Sequence, residues 1–93
     1  GINELQNKTE SRQGVIVYPN PAKNSVTIKA IGSDARGYKV ELLNAQGQIV
    51  FTEKQNLSSD YTLDLKKLNI TSGLYVVKLS SGNVIKTTKL IIE

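Results

Sequence analysis

The 93-residue chain contains no cysteine and no histidine. Without cysteine, neither a disulfide framework nor thiolate ligation of a metal can hold a small fold together. Without histidine, the commonest general base, the commonest metal ligand and any switch near neutral pH are gone. Tryptophan is absent too, and only four tyrosines and one phenylalanine supply rings. Neither sign of charge dominates. Twelve basic residues stand against eight acidic ones, and Lys66-Lys67 is the single adjacent basic pair. A nucleic-acid surface calls for a concentrated basic stripe with interleaved aromatics, and none is present. No apolar run approaches the ~20 residues of a membrane-spanning helix. Gly1 to Gly14 is polar and unlike a secretory leader.

These absences narrow the chemistry. A nucleophile would have to rely on a Ser–Lys or carboxylate scheme, yet the serines fall in turns or at exposed strand positions. Asp60 and Asp64 sit four residues apart, which on a strand is about 13 Å, too far to share a proton or a metal. No calcium loop or glycine-rich phosphate loop is present. The expectation is a domain that is not an enzyme, with no cofactor, no metal and no small-molecule substrate.

What is there is alternation. Val15-Ile16-Val17-Tyr18 reads as a short strand stopped by Pro19-Asn20-Pro21, because two prolines remove two backbone donors and an edge strand must leave its sheet there. Ser25 to Ala30 puts Val26 and Ile28 on one face, and Tyr38, Val40 and Leu42 repeat the pattern with Leu43 out of place on the polar face. Asn44-Ala45-Gln46-Gly47 reads as a hairpin connection with Gly47 in a left-handed position. Gln48 to Lys54 forms a fourth strand whose buried face the pattern leaves open between Ile49 with Phe51 and Val50. Tyr61, Leu63 and Leu65 mark a fifth strand, and Lys66 to Asn69 a short turn of helix. Leu68 to Tyr75 has the form of a tyrosine corner, with Tyr75 bonding back to the preceding turn. Tyr75, Val77 and Leu79 then begin a strand that turns at Ser80 to Asn83 and returns as Val84 to Ile92. Chain ends usually fray, whereas this one is among the most apolar stretches of the sequence.

Seven short strands with turn signals every 8–12 residues or so, and no helix-period segment, predict an all-β fold. The expected architecture is a seven-stranded antiparallel immunoglobulin-like β-sandwich over residues 15–93, with a small closed barrel as the alternative. Residues 1–14 hold only Ile2 and Leu5 as large apolar side chains and read as a flexible linker, with the end of a short helix as the alternative. The chain as a whole reads as a segment from the end of a longer protein.

Four stretches resemble the C-terminal sorting domain of type IX secretion cargo proteins (the type A sorting domain family). They are Val17 to Ala22, Val40 to Val50, Leu63 to Lys78 and Lys86 to Ile92. The resemblance rests on Tyr18-Pro19-Asn20-Pro21, on Gly73-x-Tyr75 and on the terminal Lys89-Leu90-Ile91-Ile92, in that order and spacing. It implies a sandwich that directs its cargo across the outer membrane of a Gram-negative bacterium and is usually cleaved on cell-surface attachment. Its implied partners are the type IX translocon, an outer-membrane β-barrel shuttle protein and a surface sorting transpeptidase that cuts within residues 1–14. The candidate recognition residues are then Pro19, Asn20, Pro21, Gly47, Gly73, Tyr75, Lys86, Lys89, Leu90, Ile91 and Ile92. Each has a structural role open beside it: strand termination for the prolines, backbone geometry for the glycines, core packing for Tyr75, edge protection for Lys86 and Lys89. The competing functional class is a fibronectin-like or carbohydrate-binding accessory module of a secreted enzyme, which should show a ring-lined face once folded.

Overall fold

The period-two pattern resolves into seven strands, with no helix among the described residues. The computed structural model describes residues 14–30, 37–56 and 60–93. Of the linker expected over Gly1 to Gly14, only Gly14 lies among them. The strands are β1 (Val15–Tyr18), β2 (Ser25–Ala30), β3 (Gly37–Leu43), β4 (Ile49–Asn56), β5 (Tyr61–Asp64), β6 (Gly73–Ser81) and β7 (Val84–Ile92). They form two sheets, one ordered β1-β2-β5 and the other β4-β3-β6-β7, with every ladder antiparallel. A closed barrel would require a continuous ladder, but among the described residues a backbone bridge joins the sheets only between Ala22 and Ile92.

The sheets pack through the side chains that alternation nominates. Val15, Val17, Val26, Ile28 and Leu63 face inward from the three-stranded sheet, and Val40, Leu42, Tyr75, Val77, Leu79, Leu90 and Ile92 from the other. Each fully buried aliphatic side chain contributes about 1.5–3 kcal/mol, so this cluster supplies the bulk of the drive to fold. Leu65 is also buried, although β5 ends at Asp64 and not beyond it as the pattern predicts. Its amide leaves the ladder and donates to the Asn24 carbonyl at 2.9 Å. Lys66 to Asn69 forms the expected single turn, too short to count as a helix: Leu68 N donates to Asp64 O at 3.1 Å, the bond of one helical turn, and Ile70 N closes it on Leu65 O at 3.0 Å.

The connections follow from local chemistry. In the β3–β4 hairpin, the Asn44 side-chain oxygen accepts from the amides of Gln46 at 3.0 Å and Gln48 at 2.9 Å, while Gly47 takes φ +85°. Just before that loop the β3–β4 register shifts between Leu42 and Leu43. The shift decides the face left open by the sequence: Phe51 is half-buried against the core, and Ile49 and Val50 are both exposed. The β6–β7 ladder runs from Gly73–Ile92 to Ser81–Val84. Its turn is therefore the two residues Gly82 and Asn83, tighter than the predicted Ser80 to Asn83.

Two tyrosine–carboxylate pairs brace the three-stranded sheet. Tyr61 donates to Glu53 on β4 at 2.6 Å and so ties the two sheets together, and Tyr18 donates to Asp60 at 2.6 Å. Partial burial and the hydrogen bond to Glu53 hold the Tyr61 phenol protonated well beyond the usual range, and the bond to Asp60 raises Tyr18 in the same sense.

The tyrosine corner is formed. Tyr75 is buried, and its hydroxyl donates to the Thr71 carbonyl at 2.7 Å. Gly73, two residues earlier, has φ +153°, where a side chain is strained. Tyr75→Ala should cost about 3–5 kcal/mol, and Gly73→Val about 1–3 kcal/mol. Chemical denaturation of the two variants checks both, and wild-type midpoints would remove the corner from the account of stability.

Candidate functional site

The terminal strand β7 is the edge of the four-stranded sheet, so only β6 pairs with it through a full ladder. Its side chains divide by parity. Leu90 and Ile92 are buried in the core, whereas Lys89 and Ile91 point outward and are exposed. Lys86 and Lys89, three residues apart, consequently lie on opposite faces. Lys86 is half-buried and runs over Gly14, so closely that a β-carbon there would stand 2.7 Å from Nζ. Lys89 lies opposite Val76 of β6, on the outer face.

The outer edge of β7 is closed over its last residues by the segment that follows β1. The Asn20 side chain donates through Nδ2 to the Lys89 carbonyl at 3.2 Å, and its Oδ1 accepts from the Ile91 amide at 2.9 Å. The backbone then takes over. Ala22 N donates to Ile91 O at 2.8 Å, and Glu93 N donates to Ala22 O at 2.7 Å. Asn20 and Ala22 thus replace a neighbouring strand for four successive backbone groups of the chain end. The flanking prolines, which follow cis peptide bonds, carry no N–H of their own. An amide side chain between them is the available group that both donates and accepts.

This placement sorts the residues nominated from sequence. Asn20, Lys89, Leu90, Ile91 and Ile92 are brought together with Pro19 and Pro21. Gly73 and Tyr75 lie on the neighbouring strand, Gly73 directly opposite Ile92. Gly47 stands apart in the β3–β4 loop. Ala22 was not nominated, and its full burial with two backbone bonds to the chain end makes it as central as Asn20. The signal for it was faint: a small residue directly after a proline pair. Of the stretch Lys86 to Ile92, the outer backbone edge is taken up from the Lys89 carbonyl onward by Asn20 and Ala22. The last residues are latched.

The arrangement presents side chains on the outer face and pairs backbone groups at the chain's last residues. Among the described residues no cluster of acids could hold a metal ion. Asn20→Ala should lower stability by about 1–2 kcal/mol through two lost hydrogen bonds. Hydrogen exchange should speed up at the Ile91 amide and change far less at Leu90, whose amide lies in the β6 ladder. Unchanged protection of Ile91 would refute the latch.

Comparison with known proteins places the chain in a family. Residues 16–93 match the family described as "Secretion system C-terminal sorting domain". Over 78 residues the chain is 34% identical to the ulvan lyase NLR42 of Nonlabens ulvanivorans, covering 83% of this chain and 14% of the lyase. The match begins one residue into β1 and runs to Glu93, so it takes in the latch and the whole of β7. The chain belongs to the secretion system C-terminal sorting domain family and is a sorting signal of type IX secretion.

Proposed function

We propose that the folded domain is a non-catalytic address whose terminal strand is read through Lys89 and Ile91. The observation that carries this is the parity of β7: Leu90 and Ile92 are buried in the core, while Lys89 and Ile91 are exposed beside them. A partner meeting the folded domain can touch only the second pair. Latching by Asn20 and Ala22 fixes that pair at one angle to the sheet, which is what recognition by side-chain contact needs. Lys86, lying across Gly14, serves the fold in this reading. The readers are the type IX translocon and the outer-membrane β-barrel shuttle. The surface transpeptidase then cuts within residues 1–14, leaving the cargo at the cell surface of a Gram-negative bacterium.

The competing reading, a carbohydrate-binding accessory module, needs rings grouped on one face. Tyr38 and Tyr75 are buried, Phe51 and Tyr61 are half-buried, and Tyr18 is the single exposed ring, already bonded to Asp60. That distribution favours the sorting signal over a sugar platform.

Residues 1–93 fused behind a fluorescent reporter in a type IX-competent cell test the proposal. Lys89→Ala with Ile91→Ser should shift stability by no more than about 0.5 kcal/mol each, as exposed sites do. Export should nevertheless fall steeply, while Lys86→Ala exports normally if its fold survives. Normal export of the Lys89/Ile91 variant with an unchanged melt would refute the reading.

A further inference from the structure

The strand register places a row of aliphatic side chains across the outer face of the four-stranded sheet. Ile91 stands opposite Leu74, Lys89 opposite Val76, Val76 opposite Leu43, and Leu43 opposite Ile49 at the shifted register that also brings in Val50. Ile49, Val50, Leu74 and Ile91 are 53%, 41%, 48% and 47% exposed, against a core that is almost wholly buried. Three inter-strand spacings of ~4.8 Å make the row about 14 Å long, running across the strands from the chain end to β4.

Charge surrounds the row on the same face. Lys39 and Lys54 are directly opposed, Lys78 lies across from Glu41, and Lys89 joins the row itself. Among the described strand residues of this face Glu41 is the acid, buried at 7% exposure with its carboxylate 3.7 Å from Lys39, and Glu93 follows at the end of β7, 3.9 Å from Lys23. The outer face of the other sheet differs: Lys29 lies opposite Ile16 and Asp64 opposite Ser25, and the Tyr18–Asp60 and Thr27–Thr62 pairs give it a polar surface joined by hydrogen bonds. The two outer faces therefore carry opposite bias, one aliphatic and basic, the other polar and mildly acidic.

We infer that the outer face of the β4-β3-β6-β7 sheet is a docking surface for a protein partner bearing an apolar strip bordered by carboxylates. This deepens the reading of Lys89 and Ile91 and rests on it: the terminal strand supplies one end of a composite surface, and residues far away in sequence supply the rest. Charge complementarity selects the acidic border, since among the described strand residues of this face four lysines stand with Glu41, which Lys39 approaches to 3.7 Å. Shape selects protein over lipid. Val76 and Leu43, at the middle of the row, are half-buried in a sheet surface and do not protrude. Amphipathic helices that enter a bilayer interface by about 5–10 Å lead with Trp, Phe or Leu; among the described residues this sheet face carries no aromatic side chain.

The reporter fusion of the full 93-residue chain tests the surface with variants that leave the terminal strand intact. Ile49→Glu with Val50→Glu, and separately Leu74→Glu, should each cut export by about tenfold or more, as loss of an interface anchor does. Lys54→Glu with Lys78→Glu should also reduce it, while Thr62→Glu on the opposite sheet exports normally. Should Leu74→Glu lower the melt, the Ile49/Val50 pair on the exposed edge strand carries the test alone. If these variants fold and export normally while Lys89→Ala with Ile91→Ser fails, the sheet-face inference is overturned and the terminal-strand reading stands. Flotation of the purified chain with phosphatidylglycerol–phosphatidylethanolamine vesicles separates the other occupant. No flotation supports a protein partner, and flotation abolished by the Ile49/Val50 variant would overturn it in favour of lipid.

Discussion

The structure depends on one crossing. After β1 the chain leaves the three-stranded sheet at Pro19 and reaches the four-stranded sheet by Ala22, where it bonds to the last residues of β7. A sandwich of separate sheets has open sides, and this crossing closes the one where β1 lies beside β7. Tyr61 and Glu53 tie the sheets on the side of β5 and β4. Because Asn20 and Ile91 are 71 residues apart, their bond joins the beginning of the described fold to its end. The orientation of Lys89 and Ile91 is inherited from that closure.

The sequence made the strands legible because burial on one face of a sheet enforces alternation. Val26, Ile28, Val40, Leu42, Leu63, Tyr75, Val77 and Leu79 are buried as their spacing requires. The tyrosine corner was legible because its parts are local, Thr71 and Tyr75 being four residues apart. What was not legible is non-local. Pro19-Asn20-Pro21 shows that a strand must stop, and nothing in neighbouring residues tells that the Asn20 amide will meet a strand some seventy residues later.

Other features fell between these limits. The opposite faces of Lys86 and Lys89 follow from their odd spacing and could have been read directly. Leu43, which breaks the alternation of β3, looked like an irregularity. Register turns it into the middle of an aliphatic row, since it lies between Val76 and Ile49. That row spans four strands from three separate parts of the chain, so no window of sequence contains it. The exposure of Ile49 together with Val50 arises from a shift in pairing, which a period-two count cannot anticipate.

The proline-flanked latch also decides how this domain can associate with itself. Sheets grow into filaments when each molecule offers two open edges, one to give and one to receive. Here the end of β7 is covered by a segment in which Pro19 and Pro21 have no N–H to offer a further strand. The other border, β4, is eight residues long. Among the described residues, addition of a strand over the last residues of β7 is thereby closed, and growth of this sheet is steered toward its β4 border.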